Sequence, residues 1–578
     1  MKSDEWRTQE DIDTLAQIKS YCDDVLSGEK PACKWERLAV QRHVDDLDWQ
    51  ATEVYPYTFD EQLACRAVRF IQRLPHTKGH FAAAKGLARR IYLEPWQKFI
   101  IANLFGWIHP DTRLRKYRIA YICVPRKNGK SILAAGIGLY MLMCDGEYGA
   151  EVYCGATTEK QAWEVFRPAR EMVRKSPGIG KRFGVSVHAK RLECDTNTHN
   201  READGSRFEP VIGKPGDGAS PSCAILDEVH EHDDDDLYDT MLTGMGARLQ
   251  ALMLLITTAG SNTAGPCYSQ QQDLEAVLEG TRENNELFGI IYTIDKDDDW
   301  RTEQSLIKAN PNYGVSVGPD FLKARIRDAM NSARKQNIIK TKHLDIWVTA
   351  KEAWLNMEDW NKQADTNLVL EDFEGENATL GLDLSTTDDL TAAVKCFRRE
   401  VNGDDHYYLF GRYYCTEKKV NENPHYQEWV YNGHLTQSDG ERIDYNQIEE
   451  HVEQDAAQFV INECYYDRHG AEHLAQNIEA DYEIEAVEVA QTYSNFSAPM
   501  RDFEGLLQDG RVHHDGNPCL AWMMGNVVAK ATQDGKMTRP VKESRANKID
   551  GAVAALMAFL KVYSIDEDDG SDQTFVEI

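Results

Sequence analysis

Ile119-Ala120-Tyr121-Ile122-Cys123-Val124-Pro125-Arg126-Lys127-Asn128-Gly129-Lys130-Ser131 is the stretch whose reading decides the fold of this chain. The apolar run Ile119 to Cys123 predicts a buried strand, the segment Ile132 to Met143 predicts a helix, and the turn between them ends in Gly-Lys-Ser. Strand, turn and helix in that order make a phosphate cradle. The loop amides and the positive end of the helix dipole would face the β- and γ-phosphates of ATP, Lys130 would add a point charge, and the Ser131 hydroxyl would reach Mg²⁺. A complete phosphate loop has glycine where this chain has Val124, and the turn also carries Arg126, placed to stabilise charge spreading onto the leaving phosphate. Arg126, Lys127, Asn128, Gly129, Lys130 and Ser131 are the first candidate nucleotide ligands.

Downstream, Cys223-Ala224-Ile225-Leu226-Asp227-Glu228 reads as a buried strand ending in two carboxylates. A parallel sheet delivers its ligands at the carboxyl ends of its strands, so Asp227 would hold Mg²⁺ through water and Glu228 would polarise the attacking water. The bland alternative is a strand followed by a solvated acidic turn. Leu252–Ile256 runs into Thr257-Thr258-Ala259-Gly260, small polar residues that would sense the γ-phosphate, and upstream Gln97 offers an amide for the edges of adenine. Each has a plain alternative, a helix cap for Thr258 and a surface cation for Arg126 among them. His230-Glu231-His232 lacks the spacing of a helical metal pair and reads as a solvated turn. With Val152–Cys154, these runs alternate with longer amphipathic stretches, which predicts a mainly parallel sheet covered by helices.

A second α/β unit begins at Ala378-Thr379-Leu380-Gly381-Leu382-Asp383-Leu384. Asp383 reads as a carboxylate in the middle of an otherwise apolar strand, which is costly unless a cation or partner meets it. Phe459-Val460-Ile461 leads through Glu463 to Asp467, and Asp550 opens a helix rich in small residues. Three acids on two strands and one helix would converge on a pair of Mg²⁺ or Mn²⁺ ions, which activate water and stabilise the leaving oxygen of a phosphodiester. The alternatives are an Asp467–Arg468 pair and a helix cap at Asp550.

The chain has 578 residues, too long for one core, and 42% hydrophobic with 28% charged residues describes a globular protein. No apolar run reaches the length of a membrane span and the first residues are too polar for a signal peptide, so the expectation is a cytoplasmic protein with no membrane partner. The 13 cysteines show no Cys-x-x-Cys pair and are expected to be reduced and buried. A net charge of −30 argues against coating DNA by bulk attraction, though basic clusters at Lys181–Arg182 and along Asp320 to Asn337 leave room for local contact. The expected organisation is a helical appendage (1–75), a nucleotide-binding domain (76–355), an acidic linker (356–376), a second α/β domain (377–563) and a disordered acidic tail (564–578).

Taken together, Pro125-Arg126-Lys127-Asn128-Gly129-Lys130-Ser131, Leu226-Asp227-Glu228-Val229-His230, Thr257-Thr258-Ala259-Gly260, Gly381-Leu382-Asp383-Leu384-Ser385, Tyr466-Asp467-Arg468 and Lys548-Ile549-Asp550-Gly551 resemble the large terminase subunit of tailed bacteriophages, closest to its HK97-like branch. The family's phosphate loop carries Arg and lacks the first Gly, so Val124 becomes a point of agreement. The resemblance implies an N-terminal ASCE-type, RecA-like P-loop ATPase that pumps double-stranded viral DNA into the procapsid, and a C-terminal RNase H-like nuclease that cuts concatemeric DNA. It implies Lys130 and Ser131 on phosphate and Mg²⁺, Asp227 as the Walker B acid and Glu228 as the catalytic acid. It further implies Thr257 and Thr258 in the coupling motif, Gln97 on adenine, and Asp383, Asp467 and Asp550 as metal ligands. Glu463 stays open as the middle ligand, and Asp388 and Asp389 as supporting acids. The implied partners are the portal protein, a small terminase subunit and further copies of the chain in a pentameric ring, docked transiently on the procapsid in the host cytoplasm and absent from the mature virion. A host helicase-nuclease or repair ATPase is the competing reading, and a regulatory nucleotide-binding module is a third.

Overall fold

The computed structural model describes residues 6–52, 55–194, 205–212, 218–263, 265–330, 333–348, 350, 353–385, 390–532, 535–543 and 547–564. They fall into two compact units, Met1–Met330 with Ile338–Trp347, and Asn331–Asn337 with Val348–Ile578. The turn holding Asp388 and Asp389, and the tail from residue 565 onward, lie outside the described residues.

The first unit is built on eight strands: β1 (Ile119–Cys123), β2 (Glu151–Ala156), β3 (Val185–Val187), β4 (Leu192–Cys194), β5 (Ser206–Ile212), β6 (Cys223–Asp227), β7 (Leu252–Thr257) and β8 (Leu287–Ile291). Their order across the sheet is β8-β1-β7-β6-β2-β5-β4-β3. The first five pairings are parallel and only the β5-β4-β3 edge is antiparallel. Strands covered on both faces must be apolar throughout, and β6, β7 and β8 are buried at every residue. Helix α5 (Lys130–Met143), which follows the loop, is apolar nearly all round because it lies under this sheet. Its Gly138 needs the space: a Cβ there would stand 2.9 Å from Ile225 Cδ1 and Phe208 Cε1.

Helices α1 (Gln9–Ser27), α2 (Lys34–Trp49) and α3 (Glu61–Gln72), expected as an appendage, share the core of this unit with α4 (Pro95–Gly106). Ile18, Tyr21, Val25, Val40 and Val68 are buried in the same cluster as Phe99 and Tyr292. Their polar composition misled because each helix buries only one stripe. Lys116, just before β1, donates to Asp46 of α2 at 2.7 Å with its ammonium against the rings of Tyr55 and Tyr117. His43 of α2 is also buried, and its Nδ1 accepts the Trp107 indole N–H at 3.2 Å.

Burial lowers the His43 pKa to about 4 from 6.5. Between those values the unfolded chain binds the proton and the folded one does not, so stability is lost as pH falls from 6.5 towards 4, by about 1.4 kcal/mol per pH unit for one group. The variant His43→Gln is expected to flatten the pH dependence of unfolding near pH 5 by one proton relative to the parent. Chemical denaturation at pH 4.5, 5.5 and 6.5 measures it, and an unchanged slope refutes it.

The basic stretch from Asp320 to Asn337 spans parts of two helices, α6 (Pro319–Ala329) and α7 (Ala333–His343). The acidic stretch expected as a linker belongs to the second unit. It contains a short helix, Met357–Lys362, and its Trp360 and Phe373 are buried, as are Trp354 and Leu355 just before it. A few large apolar residues suffice to fix a segment whose average composition is acidic.

The second unit holds β9 (Asn377–Asp383), β10 (Thr391–Val401), β11 (Asp404–Thr416), β12 (Thr436–Ser438), β13 (Val460–Tyr466), β14 (Glu485–Glu488) and β15 (Val512–His514). The order is β12-β11-β10-β9-β13-β14, with β15 beside β11. β10 runs antiparallel to both of its neighbours, β9 and β11, and β9, β13 and β14 are parallel. Helix α8 (Asp550–Ser564) lies directly on β9: a Cβ on Gly381 would come within 2.0 Å of the Ala554 carbonyl. All 13 cysteines are free and buried. Among the described residues no helix is long and apolar enough to cross a membrane.

Candidate nucleotide and nuclease sites

The register of the first sheet brings three strand ends together. Cys123 pairs with Thr257 across β1 and β7, and Ile256 pairs with Asp227 across β7 and β6. The loop after β1, the threonines after β7 and the acids after β6 therefore meet at one edge. Lys127 and Gly129 take left-handed backbone, φ 75° and 86°, with Asn128 between them at negative φ, the alternation that turns successive amides to one side. Lys130 opens α5 and its ammonium donates to Glu228 Oε2 at 3.2 Å. The Ser131 hydroxyl lies 3.5 Å from Asp227 Oδ2.

Asp227 is 2% exposed, and burial raises its pKa to about 7, against the pull of Lys130. For Glu228, burial acts to raise the pKa, but the charged groups around it, Lys130 foremost, outweigh it and the net shift is downward. Two adjacent carboxyls are thus driven apart: Glu228 is held ionised, as a base must be, while Asp227 is near the midpoint of its titration at neutral pH and a cation facing it favours its carboxylate form. A hydroxyl and a carboxylate beside a phosphate loop are the hard oxygen donors that Mg²⁺ takes.

Gln97 sits in the first turn of α4. Its Oε1 accepts the Glu94 amide at 3.0 Å, a capping interaction, and its Nε2 lies 3.5 Å from where a Cβ on Gly129 would stand. The amide is therefore packed at the loop with its oxygen already engaged. Thr257 and Thr258 are fully buried. Thr257 Oγ1 accepts the His230 amide at 3.1 Å and donates to the Thr258 carbonyl at 2.9 Å.

His230 corrects the expectation of a solvated turn, because its ring is buried behind Glu228. Nδ1 is 3.1 Å from Thr257 Oγ1 and 3.4 Å from Glu228 Oε2, and Nε2 is 2.9 Å from Lys342 Nζ and 3.1 Å from Glu231 Oε1. Burial pulls its pKa down to about 4, so the ring is neutral. Asp345, also unflagged by sequence, accepts the Ala259 amide at 3.2 Å and the Cys123 thiol at 3.3 Å, and burial raises it to about 8. No local pattern marks Lys342 or Asp345; only the chain path brings them here.

In the second unit Leu382 pairs with Tyr466, so Asp383 and Asp467 leave neighbouring parallel strands side by side. Asp383 is the last residue of β9, not its middle as the sequence suggested. Asp383 faces Ala392 on β10, and Ala392 faces Tyr413 on β11. A Cβ on Gly551 would stand 2.9 Å from the Tyr413 ring, which fixes Asp550, its neighbour, at the same end of the sheet. Glu463 lies inside β13, opposite Glu485, and accepts the Tyr465 hydroxyl at 2.8 Å. Among the described residues no three His, Cys, Asp or Glu side chains form a ready ligand set for a metal ion.

Two family models match the chain, "Terminase large subunit, ATPase domain" over residues 95–276 and "Terminase large subunit, endonuclease domain" over residues 281–565. Protein YmfN of Escherichia coli (strain K12) is 43% identical over 367 residues, 62% of this chain and 80% of that protein. The chain belongs to the terminase large-subunit family. The large subunit of the terminase of Enterobacteria phage HK97 is 24% identical over 510 residues, 85% of this chain and 94% of that protein. The crystal structure of the HK97 bacteriophage large terminase aligns with a TM-score of 0.44 at 23% identity, over 86% of this chain and 99% of that one.

This terminase is a DNA-packaging motor that hydrolyses ATP and carries a DNA endonuclease, and the helicase-repair reading is not favoured. Its two activities imply dependence on ATP and a divalent metal, and its function implies interaction with DNA and the portal. The matched endonuclease segment begins at residue 281, yet β8 (Leu287–Ile291) is an edge strand of the nucleotide-binding sheet and Asn310, Lys342 and Asp345 belong to that same unit.

Proposed function

We propose that the terminase works through two separate sets of residues. In the first, the amides from Lys127 to Ser131 and the Lys130 ammonium hold the ATP phosphates, Gln97 borders the base, and Ser131 and Asp227 hold Mg²⁺. Glu228 takes the proton of the attacking water, Arg126 offsets the charge on the transferring phosphate, and Thr257 and Thr258 carry the change of state away through His230. In the second, Asp383, Asp467 and Asp550 hold a pair of Mg²⁺ or Mn²⁺ ions, with Asp467 preferred to Glu463 because of its place beside Asp383. Bound there, divalent ions lower the pKa of water and stabilise the departing oxygen of the phosphodiester. The nucleotide domain is the unit Met1–Met330 with Ile338–Trp347, and the nuclease domain is the unit Asn331–Asn337 with Val348–Ile578. The motor acts as a pentameric ring on the portal of a procapsid in the host cytoplasm, supplied with DNA by a small terminase subunit.

The convergence of Lys130, Ser131, Asp227 and Glu228 at one sheet edge carries this reading. Its test measures ATP hydrolysis and DNA cleavage on one purified preparation. EDTA is expected to stop both, and Lys130→Ala to stop hydrolysis while Mn²⁺-supported cleavage continues. Hydrolysis surviving Lys130→Ala, or cleavage surviving EDTA, overturns it.

A further inference from the structure

Asn310-Pro311-Asn312-Tyr313-Gly314-Val315-Ser316, which no motif marks, lies against the back of the phosphate loop. A loop that turns its amides inward must turn its carbonyls outward, and each outward carbonyl needs a donor. The Asn128 amide group donates to the Pro125 carbonyl at 3.0 Å and to Asn310 Oδ1 at 3.0 Å. The Ser316 hydroxyl donates to the Lys127 carbonyl at 2.7 Å, and Asn312 Nδ2 to the Asn128 carbonyl at 3.1 Å. The Asn312 backbone amide donates in turn to Asn128 Oδ1 at 2.9 Å.

The brace is itself anchored. Asn310 Nδ2 donates to the carbonyls of Leu306 and His343 at 3.0 and 2.8 Å, and Trp96, the neighbour of Gln97, donates to Asn312 Oδ1 at 2.7 Å. Asn128, Asn310 and Asn312 are buried, where an amide left without its bonds is costly. The need for bracing is visible in the loop itself. Lys127 holds φ 75°, a left-handed backbone that a side chain with a Cβ disfavours, and its own carbonyl is the one Ser316 grips.

We propose that Asn312 and Ser316 are positioning residues of the ATPase: by holding the carbonyls of Asn128 and Lys127 outward, they keep the loop amides set for the phosphates of ATP. The proposal rests on the phosphate-loop reading above. It makes a segment that falls within the endonuclease match a working part of the nucleotide site.

The test uses the full chain and Mg²⁺ with ATP-γ-S as the binding probe. Asn312→Ala is expected to raise Kd at least tenfold, and Ser316→Ala about threefold to tenfold. Ser316→Thr, which keeps the hydroxyl, should bind like the parent. Ser316 is solvent-exposed, so its variants leave the melting temperature unchanged. With ATP as substrate, KM should rise while kcat at saturation stays within threefold, and Mn²⁺-supported DNA cleavage should be unaffected. Parental Kd in both alanine variants, or Ser316→Thr binding as weakly as Ser316→Ala, overturns the proposal. Lys130→Ala in the same series separates the two ideas: if it too binds ATP-γ-S like the parent, the phosphate-loop reading fails first.

Discussion

Glu228→Gln is expected to lower ATP turnover about a thousandfold while ATP binding is kept. Glutamine matches glutamate in size but cannot take a proton from water, so only the base is removed. Glu228 is the residue whose surroundings favour the charged form, since the cations beside it outweigh its burial. It also holds a left-handed backbone, φ 51°, immediately after β6, a conformation that a residue with a side chain disfavours and that aims the carboxylate away from the strand's line. The phosphates are held by Lys130 and the loop, which the change does not touch. Freed from the carboxylate 3.2 Å away, Lys130 has more charge to offer the nucleotide, so Kd should be unchanged or lower. Single-turnover hydrolysis and ATP-γ-S binding measure the two halves. Turnover within tenfold of the parent would remove Glu228 from the role of base.

Asp383→Asn is expected to lower metal-dependent DNA cleavage at least a thousandfold, with ATP hydrolysis within twofold of the parent. An amide of the same shape keeps the packing of β9 under α8, where Gly381 and Ala554 are in contact, but it is a poor ligand for a hard cation. Asp383 and Asp467 are neighbours by register, so losing one charge removes a large share of the attraction for a cation at that end of the sheet. The two units have separate hydrophobic cores, which is why the other activity should be spared. Linearised plasmid with Mg²⁺ or Mn²⁺ reads cleavage, and phosphate release reads hydrolysis. Cleavage that persists would exclude Asp383 as a ligand, and joint loss of both activities with a lowered melting temperature would show that the change acts through folding.

The sequence by itself determined the parts whose information is local. Strand, loop and helix around Gly129-Lys130-Ser131 lie within 25 consecutive residues, from Ile119 to Met143, and their order is written in apolar spacing and one glycine turn. The same holds for Asp227-Glu228 at the end of β6, for Thr257-Thr258 at the end of β7, and for the terminase resemblance that their order supports. Tertiary structure alone decided which residues complete these sites. Asn312 reaches Asn128 across 184 residues and Lys342 reaches His230 across 112, and no periodicity spans such distances. It also decided that His230 is buried, that α1 to α3 belong to the core, that the acidic stretch with Trp360 is folded, and that Asp467 stands beside Asp383 while Glu463 lies back along the strand. The reason is the same each time. A hydrophobic period or a turn residue acts on its immediate neighbours, whereas sheet order and register choose which distant side chains meet, and these depend on the packing of the whole unit.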